Sequence, residues 1–125
     1  MPTENSRLLV VDDNKVDRLK LARILEADGY AVSVCEDGHR ALQMLHSQSM
    51  DLVLLDIDMP GMDGYELMTA MKADNALQSI PIVVVSAIDD RDAESKCEKA
   101  GADTFLSKTC GPEILKRRIA SCLEK

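Results

Sequence analysis

The sequence predicts an α/β fold: a single (βα)5 doubly wound domain whose five-stranded parallel sheet has strand order 2-1-3-4-5 and helices on both faces. Three observations lead there. The runs Arg7-Leu-Leu-Val-Val11, Leu52-Val-Leu-Leu55 and Ile82-Val-Val-Val85 show no polar alternation, so they read as strands covered on both sides. Segments of helical period separate them, and strand–helix alternation closes into a parallel sheet through right-handed crossovers. The runs also end alike, in polar residues: Asp12-Asp13, Asp56 and Ser86-Ala87, with Ser107-Lys108 after the shorter run Thr104-Phe-Leu106. In such sheets the ligand crevice lies beyond the carboxyl ends of the strands.

After the first strand, Asn14 or Asp17 is a candidate cap for a helix with apolar positions Val16, Leu19, Ile24 and Leu25. Gly29 is its expected left-handed terminator. Residues 31–36 alternate as a half-exposed edge strand does. Residues 38–47 form a short helix with Ala41, Leu42 and Leu45 inward. The strand ending at Asp56 follows, and Pro60, Gly61 and Gly64 then turn the chain into a helix over 64–73 carrying Leu67, Met68 and Met71. Pro81 precedes the next strand, a position where proline is tolerated. The helix over 89–99 offers little to bury beyond Ala93, Cys97 and Ala100, so it should be loosely held and suited to movement or contact. A last strand near 103–106 leads to a helix opened by Pro112, with Ile114, Leu115, Ile119 and Cys122 or Leu123 inward. The alternating second strand belongs at an edge. The strands ending in Asp13 and Asp56 then lie side by side at the switch point.

The 125 residues suit one domain, 1–125 with a folded core of about 6–124 and no effector domain in the chain. No apolar run approaches the roughly 20 residues of a membrane span, and the polar N-terminus is no signal peptide. The four cysteines show no Cys-x-x-Cys or zinc-type spacing, so they read as reduced thiols of a cytoplasmic protein. A net charge of −7 leaves no basic excess for nucleic acid, but it favours a cation.

Asp12, Asp13 and Asp56 crowd one rim, with Asp58 a candidate fourth. Carboxylates this close repel, so either their pKa values rise or a cation binds. A hard ion such as Mg2+ suits carboxylates and loop carbonyls. Lys108 supplies a point charge and Ser86 a hydrogen-bond donor, and together they can hold the oxygens of a phosphoryl group. Asp56 is left as the nucleophile that receives it as an acyl phosphate.

Taken together, these residues resemble the receiver domain of two-component response regulators, a flavodoxin-like fold, over essentially the whole chain. The family's acidic pair matches Asp12-Asp13, and its phosphoacceptor with the following Met-Pro-x-Met-Asp-Gly matches Asp56 with Met59-Pro-Gly-Met-Asp-Gly64. Its Ser/Thr-Ala matches Ser86-Ala87, and its Gly-Ala-Asp, switch aromatic and lysine match Gly101-Ala102-Asp103, Phe105 and Lys108. The resemblance implies that Asp13, Asp56 and the backbone carbonyl of Asp58 bind Mg2+ directly, with Asp12 acting through water. It implies a phosphohistidine donor on a histidine kinase or histidine phosphotransfer protein. It also implies a switch in which Ser86 bonds the phosphoryl oxygen and Phe105 turns inward. The surface of the fourth helix, fifth strand and fifth helix then changes, to address an output domain or a second copy. The resemblance further implies that turnover is limited to self-phosphorylation from a phosphodonor and slow autodephosphorylation, and Asp58 and Ile88 are expected to tune attack by water.

One departure stands out: the family usually has a cis proline after the lysine, and here Thr109 follows. A cis bond before a non-proline residue costs roughly 2.5–4 kcal/mol, so a trans bond and a rearranged fifth loop are expected. Plainer readings stand beside these. Asp12-Asp13 alone would be helix N-terminal acids, Ser86 a loop cap, Lys108 a surface lysine, Phe105 core packing and the methionines core filler. His39 and His46 read as solvated. Two other functions compete. A haloacid-dehalogenase-type phosphatase shares the Asp-x-Asp of Asp56-Ile-Asp58, but there that motif lies on the first strand and the acidic pair comes last. A phosphorylation-independent binding module of the same fold is the other.

Overall fold

The computed structural model describes residues 6–57, 64–86 and 91–124. Its elements follow in the order β1 (Arg7–Val11), α1 (Lys15–Ala27), β2 (Ala31–Cys35), α2 (Gly38–Ser47) and β3 (Leu52–Leu55). Then come α3 (Gly64–Ala73), β4 (Ile82–Ser86), α4 (Arg91–Ala100), β5 (Thr104–Ser107) and α5 (Pro112–Leu123). All strand pairs are parallel, in the order β2-β1-β3-β4-β5, as the sequence predicts.

The unbroken apolar runs are explained by what covers each face. Successive side chains of a strand point to opposite sides. Leu9, Val11, Val53, Leu55, Ile82 and Val84 therefore meet α2, α3 and α4 on one side. Leu8, Val10, Leu52, Leu54, Val83 and Val85 meet α1 and α5 on the other. Residues of β1, β3 and β4 are buried except Arg7 at the start of β1. At the edges, β2 and β5 are only partly covered. The alternation expected in β2 is not strict: Val32 and Ser33 are both half-buried, Val34 is exposed and Cys35 buried.

Caps fix the helices. The Asn14 side chain accepts from the amide of Asp17 at 3.0 Å, which settles the cap of α1 on Asn14. Gly29, with φ +98°, ends that helix in the left-handed conformation. Asp37 caps α2 by accepting from Arg40 N at 2.8 Å.

The inner face of α1 differs from expectation. Val16 is 75% exposed and Leu19 is 40% exposed, whereas Ala22 and Leu25 are buried and Leu21 and Ile24 pack beside them. At about 100° per residue, Val16 lies roughly 180° from Leu25, so the two cannot share a buried face. In α5, Leu115, Ile119 and Cys122 face inward but Ile114 is 46% exposed; it flanks the buried stripe. All four cysteines are free. No helix among the described residues is long and apolar enough to cross a membrane.

Candidate functional site

The site is built from strand ends. Parallel pairing continues past the strands: Asp56 N donates to Val11 O at 3.0 Å, and Asp12 N donates to Cys35 O at 3.2 Å. The first bond sets the acids following β1 and β3 side by side, and the second ties the end of β1 to β2. Asp12 and Asp56 are buried and Asp13 is exposed, and one carboxylate oxygen from each lies within 4.8 Å of the others. Behind Asp56 the chain approaches α3 closely. A Cβ on Gly64 would stand 2.5 Å from Ile57 Cα and 2.9 Å from Asp56 O, so only glycine lets the helix start there.

The other side comes from β4 and β5. Ser86 is the last residue of β4, pairs in register with Ser107, and is fully buried. Its carbonyl accepts from Lys108 N at 2.9 Å, which ties the lysine backbone to the end of β4. From there the ammonium reaches across the rim to Asp17 Oδ2 at 2.8 Å, Asp12 Oδ2 at 2.9 Å and Asp56 Oδ2 at 3.2 Å. Burial works against the charge of Lys108, but its contacts with Asp17 and Asp12 and the nearby carboxylate of Asp56 outweigh it. The lysine pKa is accordingly raised above its ordinary value. Asp12 Oδ2 is enclosed and, apart from its ion pair with Lys108, has no hydrogen-bond partner. A buried oxygen of this kind, beside two more carboxylates, suits a hard cation.

Thr109 takes its place without a cis bond: there are no cis peptides among the described residues. Its amide donates to Ser107 Oγ at 3.2 Å and the two hydroxyls lie 2.8 Å apart. The loop after β5 thus closes on hydrogen bonds that a proline at this position could not donate, and Lys108 still reaches the acids. Phe105, on β5, is partly buried against the core shared by α2, α3 and α4. Asp58 and Ile88 lie outside the described residues. His39 is exposed, and His46 pairs with Asp74 at 2.8 Å on the surface.

The residue missed in the sequence is Asp17. It stood there only as a cap candidate, yet it makes the shortest contact to Lys108. A signal was available, since the first turn of a helix that follows a strand stands over the same rim as the strand's end.

The family model of the response regulator receiver domain matches residues 8–120. Chemotaxis protein CheY of Pseudomonas aeruginosa is 32% identical over 120 residues, covering 95% of this chain and 97% of that protein. Several longer curated relatives are matched over only part of their length: the chain spans 30%, 66% and 26% of three of them. Among solved structures, the signal receiver domain of a signal transduction histidine kinase from Syntrophus aciditrophicus superposes with a TM-score of 0.88 at 29% identity, covering 95% of this chain and 90% of that one. The receiver domain of sensor histidine kinase PA1611 from Pseudomonas aeruginosa PAO1 has a TM-score of 0.90 at 26% identity, with 97% and 99% covered; a magnesium ion is coordinated in its active-site cleft.

Proposed function

The chain belongs to the family of response regulator receiver domains, and on that premise we propose that Asp56 is its phosphoacceptor, served by Lys108, Ser86 and a Mg2+ ion. The observation that carries this reading is the Lys108 ammonium lying 2.9 Å from Asp12 and 3.2 Å from Asp56, at the meeting of three strand ends. Asp13, Asp56 and the backbone carbonyl of Asp58 would hold the ion directly, with Asp12 through water. When bound, Mg2+ offsets the charge of the acids and of the phosphoryl oxygens.

A carboxylate oxygen of Asp56 attacks phosphorus in line with the donor. The P–N bond to a phosphohistidine breaks, its electron pair goes to the ring nitrogen, and a C–O–P linkage forms on Asp56. The ring leaves as neutral imidazole when its other nitrogen carries a proton. Lys108 shifts its hydrogen bond from the Asp56 carboxylate to a phosphoryl oxygen. Ser86, at the neighbouring strand end, donates its hydroxyl to another. Phe105 then packs inward, and the surface of α4, β5 and α5 changes to address an output partner.

The donor is a histidine kinase or histidine phosphotransfer protein, and the setting is the cytoplasm. Residues 1–125 act as one receiver domain with a core of about 6–124. Reaction is confined to self-phosphorylation and slow autodephosphorylation, which Asp58 and Ile88 tune. Incubation with acetyl phosphate, with and without Mg2+, tests the reading by intact mass. Expected is a Mg2+-dependent phosphoryl adduct that an Asp56→Asn variant lacks. No adduct under any condition would leave a phosphorylation-independent binding module.

A further inference from the structure

Lys108 carries three N–H donors and faces three carboxylates, of Asp12, Asp17 and Asp56. Two of these belong to the acidic group able to hold a metal; Asp17 does not. It stands on the first turn of α1 rather than at a strand end, yet its oxygen is nearest to the ammonium, at 2.8 Å against 3.2 Å for Asp56. Its side chain is 36% exposed, against 17% for Lys108 and 8% for Asp56. Asp17 also lines the cleft between α1 and the loop after β5, together with Lys20, Leu21, Val85 and Ser107.

We propose that Asp17 is a positioning residue that acts through Lys108 as a brake on phosphoryl loading. The inference rests on the reading of Asp56 as phosphoacceptor. Asp17 draws the ammonium towards α1 and adds a negative charge that takes no part in holding the metal. A phosphoryl group arriving on Asp56 must compete with it for the lysine. An incoming anionic donor is also repelled by it. Both effects act in the same direction, so removing the charge speeds loading.

Asp17→Asn keeps the size of the side chain and the backbone amide that Asn14 caps. The test is the rate of adduct formation from acetyl phosphate at saturating Mg2+, followed by intact mass, for the wild-type chain, Asp17→Asn and Asp17→Glu. For a half-exposed ion pair the Asn variant should load about two to five times faster at low salt. Asp17→Glu should return to the wild-type rate. The gap should close as salt is raised towards 1 M, where the screening length falls to about 3 Å. A purely structural role for Asp17 would give neither the rescue nor the salt dependence. Normal wild-type loading with an Asn variant that is no faster, or faster by a salt-independent factor, would overturn this inference alone. No loading in either protein would overturn the Asp56 reading and this inference with it.

Discussion

Helices α3 and α4 have the same length, ten residues each, and cover the same face of the sheet, yet they are held very differently. The first buries Leu67, Met68 and Met71 completely, and its opening glycine lies against the backbone that carries Asp56. Only Ala93 and Cys97 are buried among the described side chains of the second. With roughly 1.5–3 kcal/mol for each large apolar side chain fully buried, α3 has several kcal/mol of packing that α4 lacks. A Lys96 ammonium 4.9 Å from the centre of the Tyr65 ring links the two, and interactions of this kind are worth about 0.5–1 kcal/mol when exposed. The strands repeat the contrast, since β3 is buried throughout while β5 is buried only at Leu106. A phosphoacceptor needs a fixed frame, and a responding surface needs low resistance to change. The firmly packed β3 and α3 and the lightly packed α4 and β5 fit these two needs of the proposed function.

Truncations should sharpen that contrast. Met68→Ala removes a fully buried side chain from α3 and should cost about 2–5 kcal/mol in urea unfolding. Cys97→Ala, the matching change on α4, should cost about 1 kcal/mol, since a single sulfur is lost from the core. Equal losses would mean that α4 is as firmly anchored as α3. An effect between these two is expected from Gly64→Ala, whose new methyl must displace Ile57 Cα, Leu55 Cδ1 and Asp56 O. Overpacking of this kind costs about 1–3 kcal/mol. Because the displaced backbone carries Asp56, adduct formation from acetyl phosphate should slow as well. Unchanged stability and unchanged loading in this variant would show that the close approach is not rigid.

Much of this architecture was legible from residue order. Apolar runs without alternation gave the buried strands, and their polar ends placed Asp12, Asp13, Asp56 and Lys108 on one rim. The low apolar content of α4 was equally plain, because nothing in 91–100 apart from Ala93, Cys97 and Ala100 prefers burial. The orientation of α1 was less so. Its apolar residues are spread around much of the helix, and spacing alone cannot choose between Val16 and Ala22 for the inner face. Ile114 misled in the same way, by sitting beside a buried stripe rather than in it. Asp17 was hidden for another reason. The first turn of α1 stands over the rim, but the ion pair joins residues 91 positions apart, and which side chain of that turn reaches Lys108 is set only once α1 is packed. Thr109 was read correctly as excluding the cis bond, but its replacement, the hydroxyl pair with Ser107, required the loop itself.

The most direct test of this division of labour is amide hydrogen exchange, followed by mass spectrometry on the protein with and without its phosphoryl adduct at saturating Mg2+. Local openings of low free energy should respond first. Expected is a change in protection across α4 and β5, residues 91–107, with β3 and α3 exchanging alike in both states. A fully phosphorylated protein whose exchange changes only in α3, or nowhere, would contradict the assignment of a rigid half that reacts and a lightly packed half that answers.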